Sequence, residues 1–119
     1  MTPERYARRV IGLYLSLPGV TGRAGPADWT LARALQAEGV AFDLIEAALL
    51  LATARRVARN PEAPPLPPIR SLAYFRPVIA ELKRQPPPRF YLDYLREGVA
   101  LLRPTLPARV RKTAVLDDR

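Results

Sequence analysis

Fourteen prolines decide where this chain can be regular. A proline ring fixes φ and removes a backbone N–H, so it suits the first turn of a helix and is excluded from helix interiors and central strands. Thr2-Pro3-Glu4 supplies an N-cap, a proline at the first helical position and an acid in the first turn. Tyr6, Val10, Leu13, Tyr14 and Leu17 follow at helical spacing, which predicts a first helix from residue 3 to about residue 16 or 17. Arg5, Arg8 and Arg9 fall largely off that stripe and are expected to face solvent or a ligand. Residues 18–25 form a loop by their proline and glycine content, and Pro26 restarts a helix that turns Trp29, Ala32 and Leu35 inward. Gly39 stops it as a left-handed cap.

From Phe42 to about residue 59 a third helix carries Leu44, Ile45, Ala48, Leu49, Leu51, Ala52 and Val57, apolar over more than one face. Such a helix belongs at the centre of a core. Residues 60–68 contain five prolines and form a stiff extended connection, with a ligand for a proline-recognising partner as the second reading. Ser71 can cap a fourth helix bearing Leu72, Tyr74, Phe75, Val78, Ile79 and Leu82, in which Pro77 makes a kink or marks a break after Phe75. Gln85-Pro86-Pro87-Pro88 ends it. A fifth helix spans about residues 90–102, and its stripe of Leu92, Leu95, Val99 and Leu102 either completes the bundle or dimerises. The fold expected is all-α: a compact bundle of about five helices with proline-rich connections, residues 1–102 forming a single domain and residues 103–119 a flexible basic tail.

The chain has no cysteine and no histidine, which removes disulfides, thiolate and imidazole metal sites, and Ser-His-Asp chemistry. Its carboxylates do not fall at calcium-loop spacing or in the paired arrangement of a carboxylate enzyme. A non-enzymatic protein without metal or cofactor is expected. No apolar run approaches a membrane span, and the N-terminus has no signal-peptide core. A cytoplasmic protein with no membrane partner is the expectation.

The net charge of +8 draws polyanions. Seventeen of the nineteen cations are arginine, an excess that a GC-rich genome also produces. Helices two and three have the outline of a helix-turn-helix, but the third is too apolar to present polar side chains to base edges and reads as core.

Residues 27–82 resemble the C-terminal helical domain of the DnaD-like replication proteins, bacterial and phage primosome components. A short helix with Trp29 ending at Gly39 precedes Asp43-Leu44-Ile45-Glu46-Ala47-Ala48-Leu49, where that family reads Glu-Leu-Ile followed by Ala-Leu. Tyr74-Phe75, Val78-Ile79 and Leu82 then take the spacing of its closing motif, Tyr-Ile, two residues, Ile-Leu, two residues, Trp. Leu82 stands where the motif has tryptophan, Pro77 lies within the motif helix, residues 60–68 are an insertion, and the family's winged-helix domain is missing ahead of Pro26. The resemblance implies DNA binding by the motif helix, at Tyr74, Val78 and Leu82, and by basic residues downstream.

The function expected is therefore nucleic-acid binding, DNA before RNA, through the phosphate backbone and in a replication or mobile-element setting. The residues expected to carry it are Arg55, Arg56 and Arg59 at the end of the third helix, Arg70, Arg76, Lys83, Arg84 and Arg89 around the fourth, Tyr74 as a stacking ring, and Arg109, Arg111 and Lys112 in the tail. Arg96 can join the same face if the last three helices are adjacent. Two other readings remain open: a helical subunit of a larger nucleoprotein complex, such as a CRISPR effector, and a protein-interaction adaptor or homo-oligomer acting through the fifth helix.

Overall fold

The computed structural model describes residues 1–59 and 61–102. Five helices, α1 (Pro3–Ser16), α2 (Pro26–Ala37), α3 (Phe42–Val57), α4 (Arg76–Arg84) and α5 (Arg89–Leu102), surround one core, and a 3-10 turn, Leu72–Phe75, leads into α4. The all-α bundle expected from the sequence is the fold observed. The expected basic tail, residues 103–119, lies outside the described residues.

Helix ends fall where local chemistry puts them. The Thr2 hydroxyl accepts the Arg5 N–H at 3.1 Å, and Pro3 occupies the position whose N–H has no helical partner. Gly39, at φ +80°, ends α2: its N–H reaches the Gln36 carbonyl at 3.0 Å and the Val40 N–H reaches that of Leu35 at 3.1 Å. These two bonds satisfy carbonyls that the helix leaves open, and only glycine takes that φ without strain. α3 stops at Val57, two residues before the expected end. Around Pro77 the chain chooses the break rather than the kink. Leu72–Phe75 wind as a 3-10 turn capped by the Ser71 hydroxyl, and α4 restarts so that Pro77 sits in its first turn, where the missing N–H costs nothing.

α3 is the centre. Ile45 and every residue from Ala47 to Thr53 are buried, and α1, α4 and α5 all pack on it. Three alanines in that run let neighbours approach closely, and the run's single hydroxyl, on Thr53, donates to the Leu49 carbonyl at 2.8 Å within its own helix. Tyr6 meets Phe42 edge-on at 6.2 Å near the start of α3, while Gly19 lies against Arg56 near its end, so α1 and α3 run in the same direction. The Tyr6 hydroxyl donates to the Val40 carbonyl at 2.7 Å, and burial first, then the nearby Glu38, pushes its pKa up to about 12. On α5, Leu95 and Val99 are buried, so its stripe completes the bundle, while Phe90 and Tyr94 point outward at 72% and 67% exposure.

Two features are not evident in the local sequence. The loop after α1 is part of the core: Leu17, Pro18 and Val20 are buried, and Val20 forms a one-residue parallel bridge with Ile69. Its bonds run from the Ile69 N–H to the Gly19 carbonyl at 2.8 Å and from the Thr21 N–H to the Ile69 carbonyl at 3.0 Å. Asp28, only 6% exposed, accepts the Gly25 N–H on Oδ2 and the Leu72 N–H on Oδ1, both at 2.9 Å. One carboxylate thus joins the starts of α2 and the 3-10 turn, where peptide dipoles favour a negative charge. Asp28→Ala leaves two backbone donors without their acceptor, and we expect it to lower the unfolding free energy by about 3 kcal/mol in urea denaturation. A change under about 1 kcal/mol would show that the carboxylate is not a tie.

Candidate nucleic-acid interface

A helix buried along its length reaches solvent only at its ends, and the last turn of α3 carries Arg55 and Arg56, with Arg59 two residues beyond it. Cations there complement the helix dipole. Each of the three is held differently. Arg55 forms a two-pronged pair with Glu81 of α4, at 2.8 and 2.7 Å. That hydrogen bonding holds the Glu81 carboxyl below its usual range and raises the Arg55 pKa further, although both groups are open to solvent. Arg56 donates to the Pro67 carbonyl and, at 3.3 Å, to the Tyr74 hydroxyl, with its guanidinium 5.8 Å from the centre of that ring. Arg59 donates to the Pro64 carbonyl at 2.7 Å.

The acceptors of Arg56 and Arg59 are neutral, so these contacts position two charges without compensating them. Each guanidinium has five N–H donors, and at least three on each remain after these bonds. The pairing is antiparallel: the earlier arginine reaches the later carbonyl, because the chain leaving α3 turns back along its end.

Between α3, the proline segment and the start of α4 lies an open groove of about 360 Å³, lined by Ala52, Arg55, Arg56, Arg59, Leu66, Tyr74, Pro77 and Val78. Tyr74 is 45% exposed and stands edge-on to Phe75 at 5.1 Å. Phe75, Ile79 and Leu82 of the same motif are buried and Val78 is half-buried, so Tyr74 is the motif residue most open to solvent.

The helices carrying the remaining predicted cations do pack around α3, yet their side chains separate. Arg76 and Lys83 border a smaller depression between α2 and α4, where Lys83 pairs with Glu38 at 3.3 Å. Arg89 borders a third, between the start of α3 and Pro86-Pro87-Pro88, together with Asp43. Arg70 and Arg84 are exposed and make no ion pair among the described residues, and Arg84 adds to the positive field at Glu81. Arg96 is held by Glu46 at 2.8 Å and by Asp93 at 3.1 Å, which raises its pKa and leaves it the most fully paired cation of the set. Arg109, Arg111 and Lys112 lie outside the described residues.

Leu66 and Pro77 line the groove, and the Pro64 and Pro67 carbonyls orient two of its arginines; none of these was among the residues expected from sequence. The available signal was the proline segment's position directly after three arginines. On α1, Arg5, Arg8 and Arg9 are exposed as expected, and Arg9 lies over the Phe42 ring at 4.2 Å. Among the described residues no three carboxylates come together as a metal site would require, and no helix is long and apolar enough to cross a membrane. Comparison with family models, curated proteins and solved structures gives no match.

Gly19 connects loop and site. At φ +89°, a Cβ added to it would stand 3.2 Å from Arg56 Nε, whereas Gly22, at φ +82°, has open space around it. Both alanine variants carry the left-handed penalty of about 1–2 kcal/mol. Only Gly19→Ala is expected also to displace Arg56, seen as a shift of the Arg56 and Tyr74 side-chain NMR signals that Gly22→Ala does not produce. Equal spectra for the two variants would refute that coupling.

Proposed function

We propose that this chain is a non-enzymatic nucleic-acid-binding protein that seats a single strand in the groove at the end of α3. Arg56 and Arg59 meet phosphates and Tyr74 stacks on a base. The observation that carries this reading is the pair of arginines oriented by neutral carbonyls beside a half-exposed aromatic ring. Phosphate neutralisation supplies affinity, and a ring beside the cations gives a stacking platform that any base can use. No lining residue of the groove is a carboxylate, histidine or cysteine, which suits binding rather than proton transfer or nucleophilic attack. Duplex reading by a helix in the major groove fits poorly, because α3 is buried.

DNA is the preferred ligand and replication or a mobile element the proposed setting, both resting on the likeness of residues 27–82 to the DnaD-like domain. Of Tyr74, Val78 and Leu82, the residues to which that likeness assigns DNA contact, Tyr74 and Val78 line the groove and Leu82 is buried. A cytoplasmic location accompanies this proposal. A second reading, a subunit of a larger nucleoprotein assembly, draws on the outer face of α5, where Phe90 and Tyr94 are exposed and Tyr91 stacks on Tyr94 at 5.8 Å.

Fluorescence anisotropy with single- and double-stranded DNA and RNA oligonucleotides across a salt series tests the proposal. Single strands should bind more tightly than duplex, with affinity falling steeply in salt. Tyr74→Ala should weaken single-strand binding about tenfold with an unchanged salt slope, Tyr74→Phe should retain it, and Arg59→Gln should reduce the slope by about 0.7. Absence of binding at low salt by the folded protein, or an unchanged affinity in both Tyr74→Ala and Arg59→Gln, would overturn it.

A further inference from the structure

The proline segment is more than a connection. From Ala63 to Pro68 every residue stands before a proline except Pro65 and Pro68, which are themselves prolines. Fixed φ at the prolines and the exclusion of helical backbone before them leave the polyproline II conformation, a left-handed helix with three residues per turn. Such a helix has three edges. Ala63, Leu66 and Ile69 share one, Pro65 and Pro68 another, and Pro64, Pro67 and Arg70 the third.

The structure uses these edges unequally. Ile69 is buried and Ala63 half-buried, and Leu66, though exposed, borders the groove, so the first edge lies on the side of the chain's own fold and is anchored there by Ile69. Pro64, Pro65, Pro67, Pro68 and Arg70 are exposed, and Arg70 makes no ion pair among the described residues. The ridge is also pinned along its length. Arg59 holds the Pro64 carbonyl, Arg56 holds that of Pro67, and Ile69 is bonded on both sides by the loop after α1.

We propose that Pro64 to Arg70 is a preformed docking ridge for a protein domain with an aromatic-lined groove: two slots between parallel rings take the proline pairs, and a carboxylate at the groove's end takes Arg70. Grooves of this kind read polyproline II ligands by their exposed proline edges and leave every third residue untouched. In Pro64-Pro65-Leu66-Pro67-Pro68-Ile69-Arg70 the two residues left over are Ile69, which is buried, and Leu66, which borders the groove with 39% of its surface exposed. Ordering entropy is small because the conformation is fixed by covalent chemistry and by three tethers before any partner arrives. A nucleic acid is the poorer occupant of this face, since prolines have no N–H to offer a phosphate and one cation stands at the ridge's end. The proposal stands independently of the groove on the ridge's inner side.

The test titrates the full chain with a purified SH3 domain that accepts proline-x-x-proline-x-arginine ligands, beside a synthetic peptide of residues 61–71, by isothermal calorimetry. The folded chain should bind at least as tightly as the peptide. Arg70→Glu should weaken binding on the order of tenfold or more by replacing a charge-assisted contact with repulsion. Pro65→Ala combined with Pro68→Ala should abolish it, and Arg5→Glu, the same charge change on α1, should leave it unchanged. Failure of the folded chain to bind, whether or not the peptide does, would overturn the proposal, as would equal binding by the wild type, Arg70→Glu and the double proline variant.

Discussion

The burial of α3 on all sides is the constraint from which the rest follows. A helix whose middle is closed to solvent from Ala47 to Thr53 can carry polar residues only at its ends, and its dipole selects cations for the last turn. Arg55 and Arg56 there, and Arg59 just beyond, cannot retreat into the core, so they must meet solvent, a carboxylate or a neighbouring backbone. The chain that follows is too rich in proline to form helix and therefore presents carbonyls without competing N–H groups of its own. Arg56 and Arg59 take those carbonyls, and the returning segment is fixed across the end of the helix. Groove and ridge are two sides of that single crossing.

Seen this way, positive charge is distributed by what each cation can reach. Arg55, Lys83 and Arg96 find carboxylates on neighbouring helices, and exposed pairs of that kind contribute little to stability while quenching local field. Arg56 and Arg59 are oriented by neutral oxygens and keep their full charge. Long side chains already held in place lose less freedom when an anion arrives than free ones do, which concentrates useful cationic character at the end of α3 even though arginines are spread over most of the surface.

Prolines and glycines made most of the helical frame legible in the sequence, because their effects are local: Pro3 and Pro26 open helices, Gly39 closes one, and Pro86-Pro87-Pro88 closes another. The arginine cluster was legible for the same reason, from helix periodicity and the dipole. What sequence could not convey depends on partners far along the chain. Asp28 looks like an ordinary first-turn acid until Leu72, 44 residues away, donates to it. The Val20 and Ile69 bridge is one residue long and leaves no alternating pattern to read. Which cations remain uncompensated is set by Glu81 against Arg55 and Glu46 against Arg96, pairs 26 and 50 residues apart. The expected single basic face therefore resolves into one groove and several separate cations.

The central claim is that polyanions are met at the end of α3 rather than by arginine in general. The most direct measurement is the set of arginine side-chain and backbone NMR shifts recorded while a short single-stranded DNA is added at low salt. The largest changes should fall at Arg56, Arg59, Leu66 and Tyr74, with Arg5 and Arg8 on α1 unmoved. Shifts centred on α1, or spread evenly over every exposed arginine, would contradict it.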